Sequence, residues 1–132
     1  MPAKRPLIYV LEDNQVMCSL ICLHLHQSGY EARGYADAVE GGKALLEQRP
    51  DLLVLDIAMP YLNGLELLNA MGSDEKTAGI PTIVLTARTD SRAEEESWAA
   101  GARHFIVKPL QRQQLLEAVA DILGERQGAE PA

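Results

Sequence analysis

The sequence has no apolar run approaching the roughly 18–20 residues that a membrane-crossing helix requires, so membrane insertion is not expected. The opening MPAKRPLIYVLED carries basic residues, but its apolar stretch stops at Glu12 and Asp13, unlike a secretory signal. A cytoplasmic location is therefore the expectation. Cysteine is scarce: Cys18 and Cys22 make neither a disulfide scaffold nor a CxxC or zinc-finger spacing. Positive charge is in deficit, with 12 Lys and Arg against 19 Asp and Glu and a net charge of −7. Such a chain is poorly suited to sequence-independent binding of nucleic acid, which depends on neutralising phosphates. Repeats, low-complexity blocks and internal linkers are also missing.

What is present suits one domain: 132 residues, 47% of them hydrophobic. The expected domain covers 5–124, with flexible termini at 1–4 and 125–132. Short apolar runs alternate with helical patterns. The runs Leu7–Leu11 and Asp51–Leu55 read as buried strands, Pro81–Leu85 and His104–Val107 as the fourth and fifth strands, and Glu31–Tyr35 as a weaker edge strand. Helices are expected over Asn14–Ser28, Asp37–Gln48, near Gly64–Met71, over Asp90–Ala100 and over Gln111–Leu123. Five βα units with continuous apolar strands predict an α/β fold, a doubly wound five-stranded parallel sheet covered on both faces. Strand order 2-1-3-4-5, the flavodoxin-like choice, follows by analogy with known folds of this class.

In open α/β sheets, ligands bind beyond the carboxyl ends of the strands. Those ends carry Glu12 and Asp13, then Asp56, Thr86 and Lys108. In the expected order these come from four neighbouring strands. Three carboxylates packed together repel one another and stay ionised only beside cations. Lys108 supplies one positive charge, and oxygen-only ligands call for a hard divalent ion, Mg²⁺ or alternatively Mn²⁺. Magnesium sites of this type leave room for phosphate oxygens, and a carboxylate can act as nucleophile to form an acyl phosphate. Asp56 is the candidate acceptor. Asp13 would bind the metal directly, Glu12 directly or through water, and the Ala58 backbone carbonyl would complete the shell. Lys108 would neutralise phosphoryl charge and the Thr86 hydroxyl would hydrogen-bond a phosphoryl oxygen.

These elements match a known family. LED at 11–13, DLLVLDIAMP at 51–60, Gly64, PTIVLTA at 81–87 and GARHFIVKP at 101–109 resemble, in order and spacing, the receiver domain of two-component response regulators. The resemblance covers about residues 5–124. It implies a phosphorylation switch rather than a metabolic enzyme, with Asp56 as phospho-acceptor, Thr86 as switch hydroxyl, Phe105 as switch aromatic and a cis Lys108-Pro109 bond. It also implies a sensor histidine kinase or histidine phosphotransfer protein as donor, and a downstream protein target. Ala58 and Arg88 sit where the family tunes phosphoryl lifetime; Ala58 offers no group to hold an attacking water, which predicts a lifetime of minutes or longer.

Other readings stand beside this one. The chain could be the receiver of a longer regulator with a DNA-binding or enzymatic output domain, or an unphosphorylated adaptor. A haloacid-dehalogenase-type phosphatase would place a second Asp where Ala58 stands. Cys18, Cys22 and His26 share a helical face, but three ligands on one helix span too far for one ion, and the resemblance places that face outward. His24 is expected to be partly buried and structural. The apolar first helix offers a possible docking face for a phosphodonor, Trp98 is assigned to the output face, and Glu94–Glu96 to a solvated one.

Overall fold

Three of the five strands carry mostly β-branched and leucine side chains with no polar alternation, the signature of a sheet buried on both sides. The computed structural model, which describes residues 5–59, 63–87 and 91–124, bears this out. β1 (Leu7–Leu11), β3 (Leu52–Asp56) and β4 (Thr82–Thr86) are buried at every position. β2 (Glu31–Tyr35) and β5 (His104–Val107) form the two edges. All pairings are parallel, in the order β2-β1-β3-β4-β5.

The helices follow local chemistry. α1 (Gln15–Gln27) is capped by Asn14, whose side chain accepts from the Met17 amide at 2.9 Å. Asp37 caps α2 (Ala38–Glu47) and Asn63 caps α3 (Gly64–Gly72) in the same way; each such cap stabilises its helix by about 1 kcal/mol. α4 covers Ser91–Ala99, and the expected start at Asp90 lies outside the described residues, as do Pro60, Arg88 and both termini expected to be flexible. The last helix departs from expectation. α5 is regular only over Arg112–Val119 and continues as a π-helical turn, Ala120–Gly124, which still buries Ile122 and Leu123.

Alternation along the strands divides the core into two layers. Ile8, Val10, Leu52, Val54, Ile83 and Leu85 pack with α1 and α5, while Tyr9, Leu11, Leu53, Leu55 and Val84 pack with α2 and α3. Close approach fixes several glycines, Gly64 and Gly34 most tightly. A Cβ on Gly64 would stand 2.5 Å from the Ile57 Cα, so the start of α3 seats directly on the chain leaving β3. A Cβ on Gly34 would stand 2.5 Å from the Cys18 Sγ and 3.1 Å from the Cys22 Sγ.

That second contact corrects the expected outward face of α1. Cys18 is buried, its thiol donating to the Val10 carbonyl at 3.9 Å, and its sulfur and that of Cys22 settle on the bare backbone of Gly34. Only His26 of the three is exposed, its Nε2 lying 3.0 Å from the Ala32 carbonyl oxygen. The apolar residues that α1 does expose are Val16, Leu20 and Leu23. His24 is half-buried, as expected. Trp98 is at the surface, its indole N–H donating to Glu94, within an exposed Glu94–Glu96 run.

Candidate functional site

β1, β3, β4 and β5 end side by side, and each delivers its last polar residues to one edge. Glu12 and Asp13 follow β1, Asp56 closes β3, Thr86 closes β4, and Lys108 follows β5. Lys108 is the hub. Its Nζ lies 2.7 Å from Glu12 Oε1 and donates to Asp56 Oδ2 at 2.9 Å. The backbone supplies two more donors: the Ala58 amide to Asp56 Oδ1 at 2.9 Å, and the Asn14 amide to Glu12 Oε2 at 3.1 Å.

Glu12 is fully buried and Asp56 nearly so, whereas Asp13 is exposed. Burial pushes the Glu12 carboxyl above its ordinary range, with the Asp56 charge adding to the effect and the bonds from Lys108 and Asn14 opposing it. Burial works against the Lys108 ammonium too, but its bonds to Glu12 and Asp56 outweigh that and leave it raised. The Glu12 Oε1 contact with Lys108 is an ion pair outside hydrogen-bonding angles, so this buried oxygen has no hydrogen-bond donor.

Thr86 is fully buried, one residue beyond the Leu85 that faces Asp56 across the β3–β4 ladder, and its carbonyl accepts the Lys108 amide at 2.8 Å. Phe105, half-buried, pairs with Val84 and packs against the α2–α3 side of the core. The Lys108-Pro109 peptide bond is cis. Sequence reasoning named these residues but missed the Asn14 amide as a support for Glu12. An N-cap residue directly after an acid pair is the signal that could have revealed it.

The donor set suits a hard divalent cation. Glu12, Asp13 and Asp56 each offer a carboxylate oxygen, all within 4.8 Å of one another. Three carboxylates against one ammonium leave two negative charges at this edge, which a divalent cation would balance. Zinc-type ligands, histidine and cysteine, do not take part in this cluster.

The model of the response regulator receiver domain matches residues 8–120, nearly the whole sheet and its helices. The chain belongs to this family. Receiver domains are signalling switches of two-component systems, and this chain shares that class of function. It is similar to the transcriptional regulatory protein AfsQ1 of Streptomyces coelicolor, at 33% identity over 96% of this chain and 56% of that protein. It is also similar to the DNA-binding dual master transcriptional regulator RpaA of Synechocystis, at 27% identity over 89% of this chain and 49% of that protein. The receiver thus spans about half the length of these relatives. Among solved structures, a CheY-like receiver from Methanospirillum hungatei superposes with a TM-score of 0.86 at 26% identity, covering 95% of this chain and 98% of that one. The receiver domain of sensor histidine kinase PA1611 from Pseudomonas aeruginosa has a TM-score of 0.82 at 26% identity, covering 92% and 99%. It was solved with a magnesium ion coordinated in its active-site cleft.

Proposed function

We propose that this receiver accepts a phosphoryl group on Asp56 from a phosphohistidine of a sensor kinase or phosphotransfer protein, with Mg²⁺ held by Glu12, Asp13, Asp56 and the Ala58 carbonyl. The observation that carries the reading is the cluster of three carboxylate oxygens within 4.8 Å of one another, two of whose residues, Glu12 and Asp56, are paired with Lys108. The magnesium ion coordinated in the active-site cleft of the PA1611 receiver supports it. Bound there, Mg²⁺ supplies charge neutralisation for the incoming phosphoryl group; Mn²⁺ has the same chemistry.

The chain's own residues do the rest. An Asp56 carboxylate oxygen forms the new P–O bond as the donor's P–N bond breaks, and the imidazole leaves with the electron pair. The Ala58 amide and Lys108 orient the carboxylate, and Lys108 balances the charge of the acyl phosphate. The added dianion attracts the Thr86 hydroxyl, and the space behind it admits Phe105, changing the surface of α4 and β5 for a protein target. Without a polar side chain at Ala58 to hold water, the acyl phosphate persists for minutes or longer.

Incubation with acetyl phosphate and Mg²⁺ tests this. Intact mass should rise by one phosphoryl group, and Asp56→Asn should show no gain. A wild-type protein that stays unmodified, or an equally modified Asp56→Asn, would refute the assignment.

A second reading has its own support. The relatives named above are transcriptional regulators about twice this length, one of them named as DNA-binding, which favours a receiver that works within a longer regulator. The length of the intact gene decides between this and a stand-alone switch.

A further inference from the structure

α1 carries a second group of metal-ligating side chains, apart from the acid cluster. Cys18 and Cys22 are free thiols four residues apart on the face that meets β2. Both sulfurs crowd a single point, the place of the missing Gly34 Cβ, at 2.5 and 3.1 Å. A bare residue inside a strand weakens it and marks a place where something approaches closely. At Gly34 that something is the sulfur pair. Cys18 is buried, whereas Cys22 is half-buried and Gly34 exposed, so the pair has a dry side and a side open to solvent. The dry side is apolar: Val10, Ile21, Leu25 and Ala32 belong to the same buried cluster as Cys18.

The sulfurs are available for ligation. The Cys18 thiol donates weakly to the Val10 carbonyl, at 3.9 Å, a contact that goes with the thiol proton. His26, one turn further along, is engaged elsewhere, its Nε2 lying 3.0 Å from the Ala32 carbonyl oxygen. The site therefore offers two donors, both sulfur.

Two thiols can be joined by a direct bond or by an ion between them. Residues four apart on a helix hold their Cβ atoms about 5–6 Å apart. A disulfide requires roughly 3.5–4.5 Å, so a direct bond would distort α1. An ion removes the conflict, because two sulfur–metal bonds, each near the ~2.3 Å of a zinc thiolate, are inserted between the sulfurs. The donors select the ion. Structural zinc takes four ligands and magnesium takes oxygen, whereas thiolates select a soft cation such as copper(I).

We propose that Cys18 and Cys22 bind one soft monovalent cation of the copper(I) class beneath Gly34. Each thiol gives its proton to solvent as its sulfur bonds the cation. One ion enters, two protons leave, and no oxidation state changes. The test titrates copper(I) into the reduced full chain, kept anaerobic and without Mg²⁺, against the chelator bathocuproine disulfonate. The wild type should withdraw one copper per chain. Cys18→Ser and Cys22→Ser should each weaken binding more than about a hundredfold, beyond the range of changes outside the ligand shell. His26→Ala should bind as the wild type does. In the isotope-labelled chain, one equivalent of copper should shift the backbone amides of Cys22 and Gly34 and leave those of Asp13 and Asp56 in place. A wild type that leaves all the copper with the chelator would overturn the proposal. So would either serine variant binding like the wild type, a loss in His26→Ala, or shifts confined to Asp13 and Asp56.

Discussion

The two edges of one sheet use the same residue types to opposite ends. At the amino edge, Arg49 donates to two loop carbonyls and Asp51 accepts a β1 amide, so charge is spent on fastening the backbone. At the carboxyl edge, Glu12 and Asp56 are buried with a single ammonium between them, and Asp13 adds a third carboxylate nearby. Stability governs the first arrangement. The second holds unbalanced charge that a cation and a phosphoryl group can complete. Elements built for function commonly carry such a local cost.

The largest test of this contrast removes the cation at each edge. Lys108→Met leaves two buried carboxylates uncompensated and should cost about 2–3 kcal/mol in urea unfolding without Mg²⁺. Arg49→Met gives up exposed hydrogen bonds and should cost about 1 kcal/mol. Equal losses would erase the distinction. Next comes the metal: Mg²⁺ at ten times its Kd should stabilise the wild type by about 1.4 kcal/mol. Asp13→Asn should lose most of that gain and Asp51→Asn should keep it, as read by thermal unfolding.

Acidity gives a comparable or smaller effect of known sign. The Glu12 carboxyl titrates above its ordinary 4.5 in the folded chain, so the native state binds this proton more tightly than the unfolded one. The Glu12 contribution to metal-free stability should therefore grow as pH falls through the folded value toward 4.5, by at most about 1.4 kcal/mol per pH unit. Comparing Glu12→Gln with wild type across that range isolates it, and a contribution that shrinks on acidification would contradict the burial argument. Lys108 acts at the other extreme: raised above 10.5, it stabilises fully below that value and is lost as pH climbs through its folded one. The smallest effect is Asn14→Ala, which removes a cap at the carboxyl edge and should cost about 1 kcal/mol in urea unfolding while its amide still holds Glu12.

Much of this was legible in the sequence because it rests on local rules. Apolar runs ending in acids, Asn14 and Asp37 at helix starts, and the alternation of strand with helix led to the right sheet. The carboxyl-edge residues were legible for a topological reason, since parallel strands must deliver their last residues to one place. What escaped depends on contacts between distant segments. Nothing local announces that Gly34 makes room for Cys18 and Cys22, so that face of α1 was expected to point outward. The π-helical turn after Val119 looks in sequence like four more residues of ordinary helix, Ala120 to Leu123. The fastening of Arg49 to the Lys76 and Ala78 carbonyls likewise joins distant segments through a loop that carries no motif.

The outer strand β2 also bears on how the molecule behaves in a crowded solution. It pairs with β1 on one side only and runs just five residues. Its exposed Glu31 and Arg33 form an ion pair at 2.7 Å. A short rim bearing charge of both signs is a poor template for another chain to add a strand. Neighbouring copies thus meet a barrier to fibrillar stacking at this flank of the sheet.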